Sequence, residues 1–282
     1  LVSIIIPTRD QVSILKNCLE GLLYRTNYPA MEIIIIDNDS TENETKEFFK
    51  ELELHGVRIL CWSGAFNFSS INNFGVQNAK GEVIVLLNND IEVIDDNWLT
   101  ELVSHAVRPS IGVVGARLYY PDNRVQHDGI IVGMGGVAGY AHPLMDREKS
   151  GDFGRSRVIQ NYSAVTAAAC AVKKSIYDEV GGLDETNLTV AFNDVDFCLR
   201  VQKAGYRNVY TPYAELYHHE SISRGPDTTP EKAKRFEKEA LYMMKAWEDE
   251  IKSDTCYNVN LSLQSGFELD LHRGKSWPWN AN

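Results

Sequence analysis

Apolar residues in the first third of the chain form short continuous runs, and each run ends on polar or turn-forming residues. The runs cover residues 2–6, 32–36, 57–61 and 82–87. Runs of this length are typical of strands that are buried on both faces of a parallel sheet. Between them, apolar residues recur at helical spacing over 14–23, 41–52 and 71–79. The alternation predicts an α/β fold, with a mostly parallel sheet flanked by helices.

The pattern after about residue 110 is less regular. It predicts a strand over 112–119, helices over 173–180 and 194–204, and a short strand over 208–210. The stretch 129–139 is rich in glycine, which predicts a loop, either mobile above the ligands or a plain surface loop. Residues 163–171 are rich in small side chains. Such a stretch either approaches a bound ligand closely or packs beneath a helix.

Two helices have features that a structure can test. Thr41 and Glu44 have the spacing of a capping box, so we expect Ser40 or Thr41 to cap the second helix. Residues 230–252 predict one long C-terminal helix with an apolar stripe. Its other face mixes acidic and basic residues, unlike the polybasic face of a helix that binds anionic lipid. We expect this helix to pack on the body of the domain, and an interface with a dimer or partner is the alternative.

Composition narrows the class of protein. The 282-residue chain has a net charge of −11, which argues against nucleic acid and anionic membrane as partners. Its five cysteines are scattered and never in CxxC spacing, so we expect no zinc site, no disulfide framework and a reducing, cytoplasmic location. No apolar stretch approaches the roughly 20 residues that span a bilayer, and no signal peptide is visible. Because Leu1 already lies inside an apolar run, we expect one domain of a longer protein.

Two of the predicted strands end on carboxylates and amides. Asp37, Asn38 and Asp39 follow the second strand, and the fourth ends on 88–90, which is Asn-Asn-Asp. The carboxyl ends of parallel strands meet at one edge of the sheet, where such folds bind ligands. Oxygen ligands of this kind suit Mg²⁺ or Mn²⁺, with substrate phosphates completing the shell. The alternatives are an Asn-rich turn at 88–90 and a helix cap at 37–41.

Acidic and histidine residues in the second half supply further candidates. Asp194 and Asp196 lie at a predicted helix start, where the helix dipole stabilises negative charge. Asp194 is a candidate general base, and two N-terminal helix acids are the alternative. His218 and His219 point to opposite faces if the chain is extended, so at most one reaches a given metal. Isolated histidines are more often structural than ligating.

Together these segments resemble the family 2 glycosyltransferases of the GT-A fold, in particular rhamnosyltransferase-like enzymes of bacterial O-antigen and capsule assembly. Each motif is modest alone, but they occur in the order of the family over residues 1–225. The motifs are Val2-Ser-Ile-Ile-Ile-Pro-Thr8, Ile36-Asp-Asn-Asp-Ser-Thr41, Ile71-Asn-Asn-Phe-Gly75, Ala79-Lys-Gly-Glu82, Leu87-Asn-Asn-Asp90, Gly181-Gly-Leu-Asp184, Asn193-Asp-Val-Asp-Phe-Cys-Leu-Arg200 and Tyr217-His-His-Glu-Ser221.

The resemblance implies an activity and a domain plan. The activity is inverting transfer of a sugar from a nucleotide-diphosphate donor, UDP- or dTDP-linked, to a hydroxyl of a glycan or lipid-linked glycan, with Mn²⁺ or Mg²⁺ as cofactor. The plan is a GT-A domain over 1–225, with a donor half at 1–110 and an acceptor half at 111–225. A C-terminal helix and tail over 226–282 pack on it, and this helix could meet additional domains or a dimer partner. The implied location is cytoplasmic, with peripheral association at the inner face of the membrane as an alternative.

The resemblance also implies roles for single residues. Asp90 matches the last acid of the DxD motif, which holds a divalent metal on the donor pyrophosphate. His218 matches a histidine that completes the metal shell, and Asp194 matches the base that deprotonates the acceptor. In the family, Asn88 is usually an acid, so one ligand charge is missing here, and Asn193 replaces a frequent Glu. Residues at the donor nucleotide are Thr8, Asp37, Asn38, Asp39, Asn88 and Asn89.

Two other functions are consistent with parts of the sequence. The first is a catalytically silent module of a larger polysaccharide-assembly protein, which the Asn at position 88 favours and the retained Asp90, Asp194 and His218 oppose. The second is a nucleotidyltransferase. That class has a glycine-rich phosphate loop after the first strand, whereas residues 7–10 here contain no glycine.

Overall fold

The described fold covers residues 1–219 and 229–270 of a computed structural model. Residues 220–228, which include Glu220 and Ser221 of the last motif, lie outside the described residues. So does 271–282, the end of the expected C-terminal tail.

The first third of the chain folds as alternating strands and helices. The elements are β1 (Val2–Thr8), α1 (Val12–Tyr24), β2 (Met31–Asp37), α2 (Asn43–Leu54), β3 (Arg58–Cys61), α3 (Phe68–Gln77) and β4 (Val83–Leu87). β1 pairs in parallel with both β2 and β4, and β2 pairs in parallel with β3. The predicted α/β fold with a mostly parallel, helix-flanked sheet is therefore confirmed in this region.

The strands are buried on both faces, which is why they are continuously apolar. Ile5 and Ile36 belong to one core, which α3 covers. Ile4 and Ile35 belong to the other, which α1 and α2 cover. Successive side chains of a strand point to opposite faces, so each strand must supply apolar residues to both cores.

The remaining chain extends this sheet to ten strands and adds a small hairpin. Its elements are β5 (Ile91–Val93), α4 (Trp98–Ala106), β6 (Ile111–Tyr119), β7 (Val125–His127), β8 (Ile130–Val132), β9 (Ala138–Tyr140), β10 (Gln160–Asn161), β11 (Ala169–Lys173), α5 (Lys174–Glu179), α6 (Asn193–Lys203), β12 (Arg207–His218), α7 (Pro230–Ala246) and α8 (Glu248–Lys252). Short 3₁₀ turns cover Met134–Gly136 and Asp152–Arg157.

The small-residue stretch 163–171 runs into β11, an internal strand of the sheet. β11 lies antiparallel between β4 and β6. A Cβ at Gly115 of β6 would lie only 2.5 Å from Cβ of Val165, so the two segments approach very closely. The stretch thus lies directly against the sheet. Alanine has low strand propensity, which hid the strand from the sequence pattern.

The prediction of a loop over 129–139 is wrong in part. The segment forms the antiparallel hairpin β8–β9, and β8 is fully buried. Glycine is required at its turn, because Gly133 has φ 86° and a Cβ there would lie 2.0 Å from the carbonyl oxygen of Ile251. The hairpin therefore packs directly against α8.

The last strand is much longer than the short strand predicted over 208–210. β12 runs from Arg207 to His218, pairs in parallel with β6, and shifts register between Tyr210 and Glu215. Pro212 lies in this irregular part and interrupts the pattern, since proline cannot donate to a sheet ladder. Beyond it, β12 pairs antiparallel with β5, with His218 opposite Ile91.

The predicted N-terminal cap of the second helix is wrong. α2 begins at Asn43, and its N-cap Glu42 makes no side-chain cap, so neither Ser40 nor Thr41 caps it. The carboxylate of Asp10 instead accepts the backbone N–H groups of Thr41 and Glu42 at 2.9 and 3.0 Å. A side chain that is distant in sequence thus satisfies amides that a capping box would satisfy locally.

The predicted long helix is interrupted at Trp247, which separates α7 from α8 with φ −126°. Ala240, Met243 and Trp247 are buried in the same core as α3, whereas Phe236 and Met244 are about half exposed. α7 therefore packs on the body through a narrow stripe. Within residues 1–219 and 229–270, no helix combines the length and apolarity that crossing a bilayer requires.

Candidate active site

A cavity of about 850 Å³ opens at the carboxyl ends of β1, β2 and β4. Of the residues predicted for the site, only Asp37 and Asp39 are absent from its lining. The predicted residues that line it are Thr8, Asn38, Asn88, Asn89, Asp90, Asp194 and His218. Side chains from both halves of the chain therefore face one space, as binding at the strand ends of an α/β sheet requires.

Asp90 and His218 form a pair on one wall of the cavity. Nε2 of His218 lies 3.1 Å from Oδ1 of Asp90, and this oxygen is buried with no hydrogen-bond partner. Nδ1 of His218 lies 2.6 Å from Oε1 of Gln126. An amide oxygen only accepts, so Nδ1 carries the proton and, in the neutral ring, Nε2 presents its lone pair to the space shared by Oδ1 of Asp90 and Nδ2 of Asn88.

Two lone pairs that face each other at this distance fit a bound cation. Ligands about 2.1 Å from a metal in adjacent octahedral positions are about 3 Å apart, which matches the 3.1 Å between Nε2 and Oδ1. Gln126 acts as the outer partner that fixes the orientation of a ligating imidazole. The residues present therefore fit a divalent metal through one carboxylate and one imidazole.

The rest of a metal shell must come from elsewhere. In the described ranges, 1–219 and 229–270, no group of three or more His, Cys, Asp or Glu side chains could hold a metal ion. Asn88 adds no charge, and its Nδ2 lies 3.2 Å from Nε2 of His218. A two-residue site of this kind suits Mg²⁺ or Mn²⁺ with phosphate oxygens and water as the remaining ligands.

Threonine and amide side chains form the floor beside this pair. Nδ2 of Asn89 donates to Oγ1 of Thr8 at 3.0 Å. The backbone N–H of Asn38 donates to the carbonyl of Thr8 at 2.9 Å. Oδ1 of Asn38 is buried with no hydrogen-bond partner in the structure, so it can accept an N–H from a ligand in the cavity.

Asp37 and Asp39 hold the loop after β2 rather than line the cavity. Oδ1 of Asp37 accepts the backbone N–H of Ser40 at 3.0 Å. Asp39 is exposed, has φ 55°, and accepts the backbone N–H of Gly64 at 3.3 Å. Of the three residues predicted here for the nucleoside, the geometry favours Asn38.

Asp194 also lines the cavity, from the first turn of α6. Its Oδ1 accepts the backbone N–H of Val195 at 2.9 Å, and its Oδ2 accepts that of Ala167 at 3.2 Å. Burial raises the pKa of Asp194, and these hydrogen bonds offset the rise only in part. The neighbouring Ala168 carbonyl accepts the N–H of Asn88 at 2.9 Å, so two adjacent residues connect Asp194 to the tip of β4.

The neighbours of the predicted residues have structural partners. Asp196 accepts from Nε of Arg200 at 2.8 Å and from Nε1 of Trp247 at 2.9 Å. His219 pairs with Glu92, Nε2 to Oε2, at 2.9 Å, away from Asp90. The alternation of side chains along an extended segment explains why His218 and His219 separate in this way.

Several lining residues were not predicted from the sequence. Arg9 and Lys232 supply positive charge. Arg9 lies in the segment 7–10, which the sequence analysis considered only because it contains no glycine. Gln126, which contacts His218 but does not line the cavity, was not predicted either. Aromatic rings form much of the remaining wall, and no periodicity marks them in the sequence. They are Phe66, Phe68, Tyr140 and Phe192.

Comparison with known sequences agrees with this geometry. Residues 3–180 match the family described as glycosyl transferase family 2. The chain therefore belongs to glycosyl transferase family 2, as the motifs predicted. It is 51% identical over 266 residues to a Sinorhizobium fredii protein named "Uncharacterized protein y4gI" and 38% identical over 265 residues to "O-antigen biosynthesis protein RfbC" of Myxococcus xanthus. These alignments cover 94% and 93% of the chain but only 29% and 20% of the relatives, so the chain spans less than a third of either.

A more distant relative carries a more specific name. The chain is 22% identical over 229 residues to "O-antigen chain rhamnosyltransferase RfbN" of Salmonella typhimurium, which covers 77% of the chain and 66% of that protein.

Solved structures with low sequence identity share the fold. GalNAc-T7, solved with UDP, GalNAc and Mn²⁺, aligns with a TM-score of 0.68 at 17% identity, over 89% of this chain and 48% of that one. The mannosyltransferase PcManGT of Pyrobaculum calidifontis, solved with GDP-Man and Mn²⁺, aligns with a TM-score of 0.60 at 16% identity, over 90% and 70% of the two chains. The predicted GT-A fold is thereby confirmed.

Proposed function

We propose that this chain transfers a sugar, with inversion, from a nucleotide-diphosphate donor to a hydroxyl group of a glycan or lipid-linked glycan. One observation carries the proposal: the Asp90–His218 pair and Asp194 line one cavity, and hydrogen bonds through Ala167 and Ala168 connect Asp194 to the tip of β4. The donor side and the acceptor side of such a reaction need these two groups on opposite sides of the reacting carbon.

Different side chains of the cavity have different roles in this reaction. Asp90 and His218 would hold Mn²⁺ or Mg²⁺ on the diphosphate, where the metal would stabilise the negative charge that develops as the sugar–phosphate bond breaks. Arg9 and Lys232 add positive charge around the phosphates. Thr8, Asn38, Asn88 and Asn89 hold the nucleotide and its phosphates in place.

Asp194 acts as the general base. A bond forms between the acceptor oxygen and the anomeric carbon while the bond to the leaving phosphate breaks, and the hydroxyl proton passes to the carboxylate of Asp194. Burial raises the pKa of Asp194, which makes its carboxylate a stronger base than an exposed one. Attack from the face opposite the leaving group needs no covalent intermediate and inverts the anomeric centre.

The proposal includes the finer features of the site. The donor is a UDP- or dTDP-sugar, and a rhamnosyl donor is suggested by the relative named O-antigen chain rhamnosyltransferase. The catalytic domain covers 1–225, with the donor half at 1–110, the acceptor half at 111–225 and a C-terminal segment from 226. Because its named relatives are several times longer, this domain would act within a larger polysaccharide-assembly protein.

The test is nucleoside diphosphate release from a panel of nucleotide-sugars, with Mn²⁺ and with chelator, followed by product analysis. We expect metal-dependent release from one donor that rises with a saccharide acceptor, and an Asp194→Asn variant about 10²- to 10⁴-fold slower. Exposed Asp178→Asn is the matched control and should keep full activity.

A silent binding module is the second candidate, favoured by the uncharged Asn88 beside the metal pair. It predicts that UDP or dTDP binds while no donor is turned over, and that Asp194→Asn changes nothing. A product with retained anomeric configuration would leave the transfer in place but overturn the single-step mechanism.

A further inference from the structure

The four residues that precede α6, the helix that carries Asp194, form a turn with a strained backbone at its last residue. We call residues 189–192 the acceptor loop; they lead directly into Asn193 and Asp194 at the start of α6. Phe192, the last of them, has φ 59° and ψ 6°, in the left-handed region. A bulky residue rarely adopts this conformation, which persists only when the surroundings enforce it.

Glu239 of α7 enforces it from the other side. This carboxylate is 1% exposed. Its Oε1 accepts the backbone N–H groups of Thr189 and Val190 at 2.9 and 3.2 Å, and also Oγ1 of Thr189 at 2.6 Å. Its Oε2 accepts the N–H of Ala191 at 2.7 Å. Three successive amides of the acceptor loop thus converge on one side chain.

Two more contacts of the same C-terminal region lie on either side of Asp194. The ring of Phe236 packs on that of Phe192 with centroids 5.2 Å apart. Nε1 of Trp247 donates to Oδ1 of Asp196 at 2.9 Å. The C-terminal region therefore contacts the chain on both sides of Asp194, at Phe192 two residues before it and at Asp196 two residues after it.

The energetics distinguish this arrangement from ordinary packing. Burying an ionised carboxylate is expensive unless hydrogen bonds satisfy it, and here four donors do so. An apolar residue at this position would pack the helix on the core without the desolvation penalty, but it would leave three partly buried N–H groups unpaired. The carboxylate is thus suited to fixing the path of the loop backbone.

We infer that Glu239 is a positioning residue for the transfer reaction: it holds the acceptor loop in its strained turn and so sets the orientation of Asp194 towards the acceptor hydroxyl. The inference rests on the proposed function. It makes the middle of α7 part of the acceptor side of the site, whereas Lys232 in the first turn of α7 and the tips of β1, β2 and β4 belong to the donor side.

The variant Glu239→Gln tests this with little change of shape. One carboxylate oxygen becomes an NH₂ group, which must face a backbone N–H where an acceptor is needed. We expect kcat to fall at least tenfold, towards the roughly hundredfold loss that a displacement of about 1 Å produces. The KM for the donor should stay within about twofold, because the strand tips are untouched. Glu237→Gln, exposed on the same helix, should leave both constants unchanged.

Amide hydrogen exchange provides a second readout that needs no turnover. In Glu239→Gln, exchange at 189–195 should accelerate, while exchange in β1 and β4 stays as in the wild type. An active wild type whose Glu239→Gln variant keeps its kcat, or keeps its loop exchange, overturns the inference. So does an equal loss of donor affinity, which would indicate general unfolding. A wild type inactive with every donor instead overturns the proposed function, and loop exchange then decides whether Glu239 holds the loop.

Discussion

At the scale of single residues, the setting of Asp194 determines what its carboxylate can do. It accepts hydrogen bonds from the backbone N–H groups of Ala167 and Val195 and is half-buried in the wall of the cavity. Burial disfavours the charged form and raises the pKa of Asp194 above the ordinary carboxyl value of about 3.9. Only the ionised form can take a proton from an acceptor.

The pH dependence of the reaction follows from this shift. As pH falls through the raised pKa of Asp194, the proposed base becomes protonated, so kcat should decline at a pH above about 3.9 rather than at it. Transfer rates measured from pH 4 to 8 with saturating donor and metal test this. Asp194→Asn should lose the acid limb with the activity, and exposed Asp178→Asn should retain both. An acid limb that persists in the weak residual activity of Asp194→Asn would assign it to another group.

The residue types of the site could be predicted from the sequence, whereas their orientation could not. Asp90 and Asn38 stand immediately after apolar runs, and the carboxyl ends of parallel strands are where ligands bind. Nothing in the local pattern shows that Asp37 turns towards Ser40. The roles of Gln126 and Glu239 depend on contacts with residues 92 positions and about 50 positions away, respectively.

At the scale of elements, close backbone approach decides where helices can lie on the sheet. Gly75 of α3 faces the sheet, and a Cβ there would lie 2.4 Å from Cγ2 of Ile5 and 3.2 Å from Cγ1 of Ile36. Both isoleucines are fully buried in central strands and cannot move aside. The glycine thus lets α3 pack directly over β1 and β2.

Replacement of Gly75 by alanine should therefore destabilise the protein. Alanine improves helix propensity by about 1 kcal/mol, but overpacking typically costs about 1–3 kcal/mol, and a 2.4 Å contact lies at the severe end. We expect a net loss of about 1–2 kcal/mol in the free energy of unfolding by urea titration. Gln77→Ala, exposed in the same helix, should stay within about 0.5 kcal/mol. A Gly75→Ala variant as stable as this control would show that Ile5 and Ile36 can move to accommodate the added methyl group.

Elements with strong patterns could be predicted, and those that depend on tertiary context could not. β1 and β2 are runs of branched apolar residues, a pattern typical of strands that are buried on both faces. β11 contains Ala169, Cys170 and Ala171, and it is recognisable as a strand only from its pairing with β4 and β6. β12 carries a proline where its pairing with β6 shifts, so its full length becomes clear only once the partner strands are in place.

At the scale of the whole molecule, binding at the cavity is linked to global unfolding. Metal and nucleotide would contact residues from the donor half, such as Asn38 and Asp90, together with His218 near the end of β12. Unfolding separates these groups, so a ligand that needs all of them stabilises the folded chain by mass action.

This linkage gives a measurable shift in thermal stability. At about a hundred times its Kd, a nucleoside diphosphate with Mn²⁺ adds about 2.7 kcal/mol, which corresponds to roughly 5–10 °C in Tm for a protein of this size. UDP, dTDP and GDP, each with Mn²⁺ or with chelator, identify the preferred base. Asp90→Asn should lose the metal-dependent part of the rise, and exposed Asp96→Asn should keep it. The same metal-dependent rise in both variants would remove Asp90 from the metal site.

The path of β12 has a consequence for how the protein becomes active. His218 meets Asn88 and Asp90 across a separation of about 130 residues, and only the final stretch of β12, paired with β5, brings them together. Contacts between residues so far apart in sequence form late in folding, because the entropy cost of closing a large loop comes before the contacts stabilise the fold. A nascent chain that already contains every donor-side strand would still lack the imidazole of His218, which is proposed to hold the metal together with Asp90. Competence for catalysis should therefore arrive in one step near the end of folding.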